Sequence, residues 1–333
     1  MLIIEQNPKN LPPWWDEHFT CHPLLNRLFL EHLNKTNKIP QKYFWQKNDN
    51  DSFVAGCMCR GQLPFRLWGI NILRDVSLCS IPMPLGFDPG FSPETGLEVI
   101  VQAMDQAWPG FQMILGLKKS GISVPGWSVK RHFLSVDIPI NFKNFDDYLG
   151  RFRHVYRRPI ITSLKKWQGV KTTIVSKEQF TKKDYSLYIQ LLKKLDFEYD
   201  ALSYEFFRNM PLDHFFIKAH KDGEILGWIA IAKVENMYYP LFVGIEQKRN
   251  SEYDTYINIF IETIKSAIEK GIDVVRMGQT AELTKMRLGG FPSERYILVR
   301  HTNPFINWII KNTDIFNYRK HYPPLHLFKT SEK

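Results

Sequence analysis

Apolar and polar positions in the second half of the chain alternate in an order that ends on a double glycine. Ile225 to Val234 is apolar on both faces, as a central strand must be. Asp222-Gly223 ahead of it predicts a tight turn after a strand that begins near Phe215. Met237 to Gly244 predicts the next strand, with Pro240 inside it, and Ser251 to Lys270 predicts a long amphipathic helix closed by Gly271. Ile272 to Met277 then returns to the sheet, and Gly278-Gln279-Thr280 opens a short helix at its carboxyl end. Open sheets with crossover helices bind ligands beyond the carboxyl ends of their strands. The Gly278–Thr280 corner is therefore the expected edge of an active site.

The first half predicts strands at Tyr43–Trp45, Phe53–Cys59, Val76–Ile81, Phe111–Leu117 and His132–Ile138, and a helix over Glu94–Trp108 closed by Pro109-Gly110. Pro82, Pro84 and Asp88-Pro89-Gly90 mark a long irregular connection. The Pro12-Pro13-Trp14-Trp15 cluster reads as an N-terminal arm packed over a core, with a binding surface as the alternative. Asn141–Asn144 reads as a junction, dividing the chain into domains 1–143 and 144–333. Asn144 with Asp147 starts a helix that Pro159 is expected to interrupt or kink. Strand Lys171–Val175, helix Lys182–Leu195, loop Asp196–Asp200 and helix Ser203–Asn209 follow. Alternating helices and strands in both halves predict a mixed α/β (α+β) architecture.

A chain of 333 residues with 44% apolar content suits two globular domains. No apolar run reaches the ~18 residues of a membrane span, and Met1–Glu5 lacks a signal-peptide pattern, so a cytoplasmic location is expected. Cys21, Cys57, Cys59 and Cys79 match neither a redox pair nor a zinc half-site and are expected to be reduced, buried thiols. No structural metal is expected. Of the net charge of +10, eight charges stand between Tyr148 and Lys177: Arg151, Arg153, Arg157, Arg158, Lys165, Lys166, Lys171 and Lys177, with no acid among them. Such a concentration attracts an anion, with Arg153, Arg157 and Arg158 as candidate contacts, or forms a solvated helix face.

The segment from Gly271 to Gly290, with Gly278, Lys285, Gly289 and Gly290 at their spacing, resembles the closing part of GNAT-superfamily N-acyltransferases. It is most similar to the two-domain branch of Fem-type aminoacyl transferases and exopolysaccharide-linked acyltransferases. The tract Phe145–Gly169 resembles that branch's basic helix. The resemblance spans about Asn144 to Asn312 and implies two tandem GNAT-like domains, each a central mixed sheet flanked by helices. It also implies transfer of an acyl or aminoacyl group to an amine on a sugar, peptide or envelope precursor, from acyl-CoA or aminoacyl-tRNA. One departure bears on the donor. Acetyl-CoA-dependent relatives carry a glycine-rich loop before the long helix, where this chain reads Gln247-Lys-Arg-Asn250-Ser-Glu252. Acids at a helix N-terminus compete with a bound phosphate, and Ser251 with Asp254 reads as a cap. Lys248 and Arg249 could still meet donor phosphates from the loop.

An amine with a pKa near ~10.4 must lose a proton before it attacks, and a general base is worth ~10²–10⁴ in rate. The carboxylates best placed by sequence are Glu198 and Asp200, which read equally as solvated loop residues. Backbone N–H groups beside Gly227–Ile229 are the expected oxyanion donors, if the two mid-sheet strands splay there, with Pro240 on the second of them. Lys285 reads as a contact to a donor phosphate or acyl carbonyl, or as a surface lysine. Trp228, Tyr239, Gln279 and Thr280 complete the expected donor site, although Tyr238 or Tyr239 must face the core and Gln279 and Thr280 also suit a helix cap. Two other classes remain open. Phe152, Tyr156 and Trp167 between the basic residues suit a non-catalytic nucleic-acid-binding module. Phe305, Ile306, Ile309 and Ile310, with Lys311, Arg319 and Lys320 nearby, suit contact with a membrane surface or packing on the protein's own sheet.

Overall fold

The computed structural model describes all residues except 21, 38, 48–51, 68–69, 82, 84–88, 94–95, 119–120, 196–200 and 330–333, with side chains described outside 64–73. The chain forms two compact units. Residues 1–133 and 294–320 make one, and residues 134–293 and 321–333 the other. The linear division at 143/144 is thus replaced by a crossing at 133/134 and a return at 294. The reason is visible in His132–Ile138, which reads as one strand in sequence. The chain passes between units inside that segment, so strand pairing stops on one side and restarts on the other.

The first unit holds β1 (Ile3–Glu5), α1 (Trp15–His18), α2 (Arg27–Thr36), β2 (Gln41–Lys47), β3 (Phe53–Leu67), β4 (Ile70–Cys79), β5 (Phe91–Ser92), α3 (Leu97–Ala107), β6 (Phe111–Leu117) and β7 (Ser128–Arg131). Strands β1 to β4 are antiparallel neighbours, and α3 carries the chain across to β6, parallel to β4. Helix α3 buries Ile100, Ala103, Met104 and Ala107, one stripe at helical spacing, against Phe44, Val54 and Ile114. The aromatic arm packs inward as expected. Trp15 is fully buried, donating its Nε1–H to the Leu25 carbonyl at 2.8 Å, and Trp14 stacks on Phe53. Cys57, Cys59 and Cys79 are buried free thiols, while Cys21 lies outside the described residues.

The second unit follows with β8 (Ser135–Pro139), α4 (Phe145–Arg151), α5 (His154–Lys166), β9 (Lys171–Val175), α6 (Lys182–Lys194), α7 (Tyr204–Asn209), β10 (His214–Lys221), β11 (Glu224–Val234), β12 (Met237–Ile245), α8 (Asn250–Tyr253), α9 (Thr255–Glu269), β13 (Val274–Gly278), α10 (Glu282–Arg287) and β14 (Phe291–Ser293). Then β15 (Tyr296–His301) and α11 (Pro304–Asn312) rejoin the first unit, where β15 pairs with both β6 and β7. Among the described residues the second sheet runs β14-β8-β13-β12-β11-β10-β9. Both sheets are mixed, each with a parallel pair joined by a helix: β4 with β6, and β12 with β13. Two layers cover the second sheet. On one face α9 buries Ile259, Phe260, Ile261 and Ile264 with Ile229, Ile231 and Val275. On the other, Phe180, Phe207 and Phe216 surround Trp228.

Local side-chain caps start five of the eleven α-helices among the described residues, α4, α6 and α7 included. Asn144 accepts from the Asp147 N–H at 2.8 Å, Thr181 and Asp184 form a reciprocal capping box, and Ser203 caps α7. Pro159 does not interrupt its helix. It sits inside α5, which continues to Lys166, and the lost bond falls to the exposed Val155 backbone, where water can replace it. The expected helix 251–270, in contrast, is broken: Asp254 takes a left-handed conformation (φ 46°, ψ 43°) between α8 and α9.

Candidate active site

The strands that part in the second sheet are β12 and β13, one strand over from the expected pair. β11 is laddered to β12 from Gly227↔Ile245 to Val234↔Met237, with one irregularity at Ala230/Ile231, and to β10 on its other side. The backbone beside Gly227–Ile229 is therefore committed to two ladders, and the oxyanion role expected there is withdrawn. β12 and β13, by contrast, are paired only at Met237↔Val274 and Tyr238↔Val275. Beyond Tyr238 and Val275, β12 and β13 share no ladder pair among the described residues, although Leu241 and Phe242 there are buried. Unpaired backbone groups beside buried side chains call for a partner. Pro240 lies in this unpaired stretch, two residues past the last parallel pair, where its missing N–H costs no bond to β13.

The opening ends at the Gly278 bend. Gly278 (φ 69°), Thr280 (φ 63°) and Ala281 (φ 48°) all occupy the left-handed region, where non-glycine residues are strained. That corner is held from below by α10. Lys285 is only 4% exposed, and its Nζ donates to the Gln279 carbonyl at 2.6 Å. Burial lowers its ammonium to about 8, and the charge of Glu282 opposes part of that shift. Glu282 is itself buried and accepts from the Tyr322 hydroxyl at 3.3 Å. Gly289 and Gly290 let α10 approach closely. A Cβ on Gly290 would collide with Val136 and lie 2.8 Å from the Lys285 carbonyl oxygen, and Gly289 (φ 97°) sits under Phe152 and Phe328. Tyr148 adds a hydrogen bond to the Leu288 carbonyl at 2.9 Å.

Across the opening, Tyr239 on β12 lies beneath the Arg276 guanidinium on β13, 5.4 Å from ring centroid to cation. Tyr238 faces the other way, into the α9 core. Arg276 was not singled out in sequence, although a lone cation between Val275 and Met277 in an apolar strand is a signal. Glu282 was missed too; its spacing of three from Lys285 on a helix was legible.

Glu198 and Asp200 lie outside the described residues. Trp228 is fully buried away from the opening. Its Nε1–H donates to the Asp184 carbonyl at 2.7 Å, and its ring fills the space a Gly244 side chain would need. Arg249 is held by its own chain, pairing with Glu224 (3.1 Å) and Glu252 (3.3 Å) and donating to the Tyr253 hydroxyl; Lys248 is exposed. Asp254 pairs with Lys166 at 3.0 Å rather than capping with Ser251, so the entry to α9 is neutralised internally. In the basic tract Arg151 is paired with Asp147, while Arg153, Arg157 and Arg158 make no ion pair with a described carboxylate. Phe152 and Trp167 are buried, which leaves Tyr156 as the partly exposed ring of the three.

Among the described residues no group of three or more His, Cys, Asp or Glu is placed to hold a metal ion, and no helix is long and apolar enough to cross a membrane. No protein-family model matches the chain, and no curated protein matches it. Solved structures do. The crystal structure of FemX superposes with a TM-score of 0.51 at 12% identity, covering 93% of this chain and 100% of that one. L-PGS from Bacillus licheniformis gives 0.48 at 11% identity, covering 85% and 91%. At such identity the likeness is one of fold: the chain has a mixed α/β fold like that of FemX.

Proposed function

We propose that this protein is an N-acyltransferase that takes an acyl or aminoacyl group from an activated donor and places it on an amine of a sugar, peptide or envelope precursor. The observation that carries the reading is the two-residue pairing of β12 with β13, which leaves an unladdered strand edge beside the Gly278 bend and the buried Lys285. The edge of β12 toward β13, which carries no ladder pair past Tyr238 among the described residues, supports a bound carbonyl or amide there, and N–H groups on that edge suit a developing oxyanion. Arg276 over the Tyr239 ring and Lys285 buried beneath the Gly278 corner supply positive charge near the opening. In the reaction the acceptor nitrogen bonds to the donor's carbonyl carbon, the C–O bond of an ester or the C–S bond of a thioester breaks, and the amine proton leaves to a base.

Aminoacyl-tRNA is the favoured donor. The Lys166–Asp254 and Arg249–Glu252 pairs occupy the entry to α9 with the chain's own charges, while Arg153, Arg157 and Arg158 remain available to phosphates. Acyl-CoA is the second donor reading, supported by the exposed Lys248 beside that entry. A non-catalytic nucleic-acid module is less well supported, because Phe152 and Trp167 are committed to the core. Titrating the protein with total aminoacylated tRNA and with CoA at two salt concentrations tests the proposal. A tRNA donor should bind with a slope of roughly −0.7 per phosphate contact in log K against log salt. CoA should bind with a shallower slope. Saturable binding of neither overturns the reading.

A further inference from the structure

Helix α11 is built the wrong way round for a surface helix. Its inner side is pinned to the first unit by the buried Ile310 and by Asn307, which donates to the Gly126 carbonyl at 2.9 Å and accepts from the His301 N–H at 3.1 Å. Its outer side carries Phe305 (70% exposed) and Trp308 (62%), stacked on each other, with Ile306 and Ile309 flanking them. Ile315, in the turn three residues past the helix end, is a further exposed apolar residue (62%). A helix on a water-exposed surface ordinarily turns polar residues outward, and a contiguous apolar patch of this kind marks a contact.

The rim identifies the partner. Lys311, Arg319 and Lys320 are exposed beside the patch, and the acids near them are already engaged: Asp314 lies within 3.8 Å of Arg319, and Glu294 pairs at 3.3 Å with Arg131, which also donates to the Lys320 carbonyl. Lys130 is tied to the Thr313 carbonyl at the same end. Cations around an aromatic, aliphatic face match an anionic lipid surface, where a tryptophan ring sits at headgroup depth and the lysines meet phosphates. We infer that α11 and the Ile315 turn dock this protein on anionic membrane surfaces. The helix lies in the interface without spanning it. An acceptor carried on a lipid would be met at that surface, but the docking itself does not depend on acyl transfer.

Flotation of the full chain with vesicles tests it, using phosphatidylcholine alone and phosphatidylcholine containing about one third phosphatidylglycerol. The wild type is expected to float with the phosphatidylglycerol vesicles and to be released by salt. Phe305→Ser/Trp308→Ser should lower that partition by at least about tenfold, since each ring carries apolar area worth about that factor or more. Thermal unfolding should be unchanged, because both rings are exposed. Lys311→Glu/Lys320→Glu should weaken binding at least about fivefold per charge on anionic vesicles. Equal flotation of wild type and the double serine variant would overturn the inference, as would no flotation of either. So would a wild-type dimer that the serine variant converts to monomer, because the patch would then serve a second copy. None of these results bears on tRNA or CoA binding, so the two proposals fail separately.

Discussion

Lys285→Met isolates what a buried lysine does at the Gly278 corner. In the unfolded chain this side chain titrates near 10.5, and in the folded protein burial brings it to about 8. Below pH 8 both states hold the proton, and the folded state bears the full penalty of a buried ammonium. Between about 8 and 10.5 the folded protein has released the proton while the unfolded chain still holds it, so stability rises with pH; above that range the penalty is gone. The linkage relation makes the gain about 2 kcal/mol between pH 7.5 and 9.5. Methionine has the same reach and no charge, so the variant lacks this gain, and every other titrating group cancels in the comparison. Urea unfolding followed by tryptophan fluorescence at the two pH values measures the difference. Stability curves for wild type and variant that run parallel with pH would refute the account of Lys285. Activity supplies a second check. If Lys285 acts as a cation toward the donor, transfer should fall as pH rises through about 8; a rise up to that pH would mean it acts as a base.

Three further outcomes are expected. Asp184→Ala should destabilise the second unit by about 3–5 kcal/mol, because it leaves the buried Lys218 ammonium, 2.6 Å away, with only the Gln179 carbonyl; thermal unfolding should show Asp184→Leu/Lys218→Met recovering part of that loss. Gly290→Ala should lower both the Tm and kcat/KM by pushing α10 off Val136, whereas Gly150→Ala, inside α4 with open space around it, should leave kcat/KM unchanged and raise stability by about 0.4–1 kcal/mol. Pro159→Ala should raise stability, by up to about 3 kcal/mol in denaturant unfolding, since it restores an N–H to the Val155 carbonyl inside α5.

Strand and helix identities in the second half were legible because they rest on local periods. Ile225–Val234 is apolar on both faces and became a strand paired on both sides; Ser203, Asn144 and Thr181 lie next to the N–H groups they cap. The Gly278 corner was readable for the same reason, since glycine at a strand end signals a left-handed bend within a few residues. Elsewhere a residue's role depends on what approaches it from afar. Pro159 reads as a breaker, yet tertiary packing of α5 outweighs one missing bond. Asp254 reads as a cap, but Lys166, 88 positions away, draws it into an ion pair at a left-handed break. Arg249 reads as a phosphate ligand until Glu224, 25 positions away at the start of β11, reaches it.

The largest decisions belonged to tertiary structure alone. Composition and periodicity determined that the chain makes two mixed α/β layers and where most of their elements lie. They could not determine which strands part, because ladder pairing joins residues far apart in sequence, and β12 and β13, linked through α8 and α9, pair at only two positions. Nor could they place residues 294–320, which follow the second unit in sequence but complete the sheet of the first. A strand goes where an open edge accepts its hydrogen bonds, and that edge exists only once the rest of the sheet has formed.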